Sequence, residues 1–439
     1  MKKKILYIIT IVGLIVILSV LWIIIINSNN KGNNNGMPIN NNSSISYSAS
    51  KEITKDEDIT SGEYKSTTKD ENVISVAGNI TSNISCITVN KIGDSDGGDN
   101  TSFYGTNSAI IAKGCATVNI KNANITTAAT GANGVFSYGG SATTNNSSSD
   151  NTTINISDST ITTTKDNSGG IMTTGGGIMN ATNLTITTSG RSSAAIRSDR
   201  GGGTVNVTKG TYKTTGPGSP AIYSTADITV KDAKLISTSS EGAIIEGKNS
   251  ITLENVELED TNNQLNGQST TYKNIFIYQS MSGDAAEGEA TFTSKDSKIT
   301  TNKGDSFYVT NTTATISLEN NTIINNDSTG NFLRIQKDSW GNSGSNGGTV
   351  KLNLTKQDVT GNIVVDSISK LTMKLTNSSY KGTINNSNEG EVNITLDKNS
   401  SITLTGDSYI KSLSNEDSSN SNISLNGFKL YIDGVEFTK

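Results

Sequence analysis

The chain has 439 residues, of which 171 are Ser, Thr or Asn, with 43 Gly, 3 Pro, 5% aromatic residues and no histidine. Strong helix formers are scarce and the abundant polar residues prefer turns and strands, so an ordinary helical globule is disfavoured. The missing imidazole excludes Ser-His-Asp and Cys-His catalysis and His-ligated zinc, and a net charge of -5 offers no basic surface for nucleic acid.

Residues 1–4, with Lys2, Lys3 and Lys4, precede an apolar run over 5–26 that only Thr10, Gly13 and Ser19 interrupt. As a helix these 22 residues reach about 33 Å, enough to cross a hydrocarbon core about 30 Å thick. The run is longer than the apolar region of a secretory signal and lacks a small-residue cleavage site. It predicts a single-pass transmembrane helix in the cell membrane, with the lysines cytoplasmic and the body of the chain extracellular; a long cleaved signal is the alternative. Residues 27–51 hold runs such as Asn33-Asn34-Asn35 and Asn40-Asn41-Asn42 without apolar period, and read as a disordered linker.

Residues 52–425 carry a repeat. Six copies of one pattern occur: Ala109-Ile110-Ile111-Ala112, Gly134-Val135-Phe136-Ser137, Gly170-Ile171-Met172-Thr173, Ala195-Ile196-Arg197-Ser198, Ala221-Ile222-Tyr223-Ser224 and Ala243-Ile244-Ile245-Glu246. Their second residues are spaced by 25, 36, 25, 26 and 22, the long interval containing a Ser/Asn-rich insertion at 141–151. A second column follows at Val118/Ile120, Ile154/Ile156, Leu184/Ile186, Val205/Val207, Ile228/Val230 and Ile251/Leu253. Each interval divides into three short strands and three turns, as in Thr204 to Val207, Thr211 to Thr215 and Ala221 to Ser224. The expectation is an all-β parallel β-helix, a solenoid with three strands per coil of 21–26 residues. About fifteen coils at about 4.8 Å each make a rod about 70 Å long. Disorder is the alternative for so polar a chain, although a disordered chain has no reason to keep β-branched residues in one column. Residues 426–439, with Asp433-Gly434 between alternating strands, predict a hairpin cap.

The segments "RSDRGGGTVNV", "SPAIYSTADITV", "GAIIEG", "FIYQSMSGDA", "FYVTNTTATI" and "GNIVVDSIS" resemble recurring phrases of bacterial cell-surface proteins with right-handed, pectate-lyase-like β-helix repeats, often adhesin-like. The likeness covers roughly residues 52 to 430. It implies a right-handed coil displayed outside the cell and brings no settled reaction. Some β-helices of this kind bind or cleave acidic polysaccharides, which makes that the ligand class it implies.

If the second residue of each copy faces the core, the third faces solvent. That outward ladder is Ile111, Phe136, Met172, Arg197, Tyr223 and Ile245. Ring faces and a guanidinium at one-coil spacing suit a long glycan; the plainer reading is an apolar stripe covered by the inserted loop. With neighbours of Arg197 added, the candidate ligand-binding residues are Phe136, Met172, Arg197, Asp199, Arg200 and Tyr223. Arg191, Arg197 and Arg200 are three of the four arginines. By resemblance to polysaccharide lyases, which pair an Arg base with a calcium-neutralised carboxylate, they are also the catalytic candidates; surface ion pairs are the plainer account. Asp94, Asp96 and Asp99 in a Gly-rich loop offer oxygen ligands to Ca²⁺, or form a solvated acidic turn, and Glu254, Glu257, Glu259 and Asp260 have the same two readings. Cys86-Ile87-Thr88-Val89-Asn90 aligns with Cys115-Ala116-Thr117-Val118-Asn119, which places the thiols in neighbouring coils within reach of a disulfide. The function expected is an adhesin-like or polysaccharide-binding surface module, non-catalytic, whose partner is a host or cell-wall glycan. A calcium-assisted polysaccharide lyase and a passive wall spacer are the alternatives; a hydrolase of the related fold would lack its common histidine.

Overall fold

Runs such as Thr-Ile-Asn-Ile-Ser at Thr153–Ser157 alternate buried and half-buried side chains, a pattern that suits an extended strand with one face turned inward. A computed structural model describes residues 45–438 apart from 142–148, 266 and 268. It winds these runs into stacked, almost wholly parallel sheets. One full coil consists of Ile222–Ser224, Asp227–Lys231 and Lys234–Ser237, and the next of Ala243–Glu246, Ser250–Glu254 and Glu257–Asp260. Each strand pairs in register with its counterpart one coil away, as when Ile154 lies between Val118 and Met179. The all-β parallel β-helix expected from the repeat is therefore present in the described residues.

The first face is a twelve-stranded sheet from Ala49–Ile53 to Ile363–Val365. It continues through Ile384, Ser408–Ile410 and Leu430–Ile432. The first strand begins at Ala49, ahead of the boundary that composition placed at 52. One aliphatic core runs through the coils from Ile53 to Leu430 and includes an edge-to-face stack of Phe292, Phe307 and Phe332 with centroids 5.6 and 5.5 Å apart. At the end of the stack Leu430–Ile432 and Val435–Glu436 pair antiparallel around Asp433 and Gly434, both at positive φ.

Between the second and third strands the chain turns a corner on one left-handed residue. Asn122, Asp158, Asn183, Asp232, Asn255, Asp296 and Asn320 hold φ between 48° and 55° there. Asn and Asp tolerate this conformation better than other non-glycine residues, and side chains bridge adjacent corners, Asn183 donating to Asp158 at 2.9 Å and Asn255 to Asp232 at 2.6 Å.

Two expectations about register need correction. Tyr223 pairs with Ile244, so Ile222 stacks on Ala243. Ala243 and Ile245 fill the coil while Ile244 points out of it. Two adjacent isoleucines carry no alternation by which sequence can tell inward from outward, so the outward position belongs to Ile244 and not to the expected Ile245. The cysteines also part. Thr117 pairs with Thr81, an offset of 36 that puts Cys115 level with Asn79, at the start of the second strand of its coil. Cys86 instead sits at the corner after the second strand, its N–H on the Lys121 carbonyl. Seven residues of strand separate the two levels, on the order of 20 Å, far beyond disulfide reach, and both thiols are free and exposed. The same phrase, Cys-x-Thr-Val-Asn, is used at two different corners.

The segment 5–26, where the membrane anchor is expected, lies outside the described residues. Among the described residues no helix is long and apolar enough to cross a membrane.

Candidate functional site

The outward column of the first face is continuous: Ile111, Phe136, Met172, Arg197, Tyr223, Ile244, Phe276, Tyr308 and Arg334 each pair with the next. A second outward position follows two residues later in each strand, giving Asp199, Glu246 and Tyr278. Part of the column is wholly covered, and part lines a cleft whose rings are themselves largely buried.

Ile111, Phe136 and Met172 leave the coil interior as expected, but all three are 0% exposed. They form their own cluster with Tyr47 and Tyr138. The cover is the chain around the short helix Asp99–Tyr104, which sequence reasoning did not foresee. Gly105, which caps the helix C-terminus at φ 69°, lies so close that a Cβ there would stand 2.7 Å from the Phe136 ring. Thr174 Oγ1 donates to the Phe103 carbonyl at 2.7 Å and the Tyr47 hydroxyl to the Tyr104 carbonyl at 2.9 Å, fastening the helix down. Phe136 and Met172 therefore present no face to solvent.

Arg197, Asp199 and Tyr223, by contrast, line one cleft of about 360 Å³, with Ile244, Phe276, Tyr278 and Trp340 along its apolar wall. Arg200 stands at its margin. Arg197 Nη2 lies 2.9 Å from Asp199 Oδ2, and the other Asp199 oxygen accepts the Arg200 N–H at 2.9 Å. Burial pushes the Asp199 carboxyl up to about 6, against the pull of Arg197. Arg200 pairs with Asp284 at 2.6 Å and stacks 4.0 Å above the Phe103 ring. The apolar lining is aromatic: Phe276 stacks on Tyr278 at 4.5 Å, and Trp340 closes on Tyr278 at 4.8 Å.

Glu246 sits behind this wall, buried, and accepts from the hydroxyls of Tyr223, Tyr278 at 3.1 Å, Ser280 and Ser282 at 3.4 Å. Burial drives the Tyr223 and Tyr278 hydroxyls well above the usual tyrosine range, with Glu246 adding to the rise, so both remain protonated donors. Deeper still, the buried Lys273 ammonium lies 3.9 Å from Glu241 and over the rings of Phe276 and Tyr308 at 4.3 and 5.0 Å.

Phe276, Tyr278, Glu246, Asp284 and Trp340 were not among the candidates read from sequence. A signal for two of them exists: Ile275-Phe276-Ile277-Tyr278 alternates with period two, so isoleucines in the core force both rings outward. Trp340 and Asp284 come from connecting segments, whose placement no periodicity reports.

The carboxylates of the acidic loop do not converge on one another. Asp94 accepts the Thr130 N–H at 2.8 Å and Asp96 the Gly98 N–H at 3.0 Å, each carboxylate tying down a different piece of backbone. Among the described residues no three acidic or thiol groups come together as metal ligands. In the second acidic group Glu254 and Glu257 reach lysines of adjacent coils, Lys231 at 2.7 Å and Lys234 at 3.3 Å, while Asp260 is buried. Comparison of the chain with family models, with curated proteins and with solved structures finds no match.

Proposed function

We propose that this β-helix is the displayed body of a single-pass, adhesin-like cell-surface protein, and that it binds polysaccharide, without turning it over, in the cleft beside Tyr223. The observation that carries the reading is one cavity lined both by an aromatic cluster, Phe276, Tyr278 and Trp340, and by the ion-paired Arg197 and Asp199. Sugar rings present an apolar face and a rim of hydroxyls, and a site with stacking rings on one side and oriented polar groups on the other serves both. The anchor expected at 5–26, a right-handed coil and an extracellular glycan partner belong to the same proposal. The Arg197 guanidinium already spent on Asp199 favours binding over proton abstraction by an arginine base.

The test is retention of the full chain on immobilised polygalacturonate and neutral glycans, with unsaturated products monitored by absorbance. Retention without new absorbance is expected, with Trp340→Ala weakening it about tenfold, on the scale of one lost stacking contact. Accumulation of unsaturated sugars would replace the binder with a lyase, and a chain that no glycan retains leaves a passive spacer.

A further inference from the structure

We infer that the cleft selects glycans bearing protonated amino groups, received by the hydroxyls of Tyr223 and Tyr278 in front of Glu246. The inference rests on the polysaccharide reading of the cleft and adds the class of sugar.

Charge accounting comes first. The side chains lining the cleft include four carboxylates, Asp99, Asp199, Glu241 and Asp284, against one guanidinium, that of Arg197, with the Lys273 ammonium buried behind them 3.9 Å from Glu241. That guanidinium is held by Asp199 at 2.9 Å, and the nearby Arg200 by Asp284 at 2.6 Å. An incoming uronate would therefore find each arginine engaged. Glu246 is buried, and among the described residues no lysine or arginine nitrogen is paired with it; the partners it has are hydroxyls. A buried carboxylate without a cation is costly unless something of opposite charge approaches it.

Hydrogen-bond polarity points the same way. The Tyr223 and Tyr278 hydroxyls each point their single proton at Glu246 and lie 3.4 Å from one another, which leaves lone pairs, not protons, as what they can offer the cleft they line. Lone pairs receive N–H donors and repel carboxylate oxygens. An ammonium placed there also gains from the carboxylate one bond behind, in a half-enclosed site where Coulomb attraction is weakly screened. The half-buried Trp340 ring, tilted against Tyr278 at 4.8 Å, adds the attraction of an aromatic ring for a cation.

The experiment is equilibrium titration of the detergent-solubilised full chain with four probes: a glucosamine hexamer, its N-acetylated counterpart, an oligogalacturonate and hexalysine. The glucosamine hexamer is expected to bind about tenfold tighter than the acetylated one at low salt, and the gap to close in 0.5 M NaCl. Glu246→Gln is expected to bring the two hexamers to equal affinity. Asp99→Asn, an exposed position with little bearing on folding, reduces the preference about threefold and keeps the test decisive if Glu246→Gln fails to fold. Equal affinity for both hexamers, tighter binding of oligogalacturonate, or hexalysine binding as tightly as the glucosamine hexamer would each overturn the inference. Failure of all the glycans to bind would instead remove the polysaccharide reading beneath it.

Discussion

Asp199 is the residue at which burial and pairing compete most directly. It is 7% exposed, faces Arg197, and has Asp284, Arg200 and Tyr223 as its other charged or titratable neighbours. Burial wins, so the folded chain holds this proton more tightly than the unfolded chain, where the carboxyl titrates near 3.8. The stabilisation is complete below about pH 4 and is lost as pH rises through about 6, a change on the order of 3 kcal/mol. Urea unfolding of the wild type and of Asp199→Asn is expected to show the wild type losing stability relative to the variant between pH 4 and pH 7. The opposite drift would mean that the Arg197 pair outweighs burial. The thiols allow a simpler check at this scale. With Cys86 and Cys115 exposed at different corners, a thiol reagent is expected to find two reactive groups per described body without any reductant. Finding none would require a bond that the register forbids.

At the scale of elements, the corner between second and third strands is what sets the coil. Asn255 turns it at φ 55° and bridges to Asp232. Asn255→Ala is expected to cost about 1–2 kcal/mol and Asn255→Gly markedly less, because glycine tolerates the left-handed backbone; equal losses in chemical denaturation would assign the whole effect to the side-chain bridge. These corners and the strands between them were legible in sequence to unequal degrees. Inward columns such as Ile154/Ile156 could be read because β-branched residues of period two mark one face. The register slip at Ile244 and the false alignment of Cys86 with Cys115 arose where local sequence is degenerate. The cleft was half legible: Arg197, Asp199 and Tyr223 lie on strands whose phase the repeat sets. The helix Asp99–Tyr104 that hides Phe136, and the loop that delivers Trp340, belong to insertions between strands, and where an insertion folds back depends on contacts that are distant in sequence.

For the whole β-helix, stability is a sum over coils, each touching only the coil before and the coil after. Such an arrangement needs its ends closed, since an open row of backbone donors and acceptors invites pairing with another chain. The Leu430–Ile432 and Val435–Glu436 hairpin meets that need at one end, reversing direction so that the last rung is antiparallel. Between the ends, the inter-rung hydrogen bonds run along the stack axis. A tension applied across the two termini therefore loads these bonds in series, and the weakest exposed rung yields before the rest. Stretched in a force spectrometer, the body is expected to lengthen in a staircase, each tread freeing one coil and about 70–90 Å of slack chain. A single abrupt rupture would show that the coils break together. Graded yielding of this kind lets the stack absorb a pull while most of its coils stay folded.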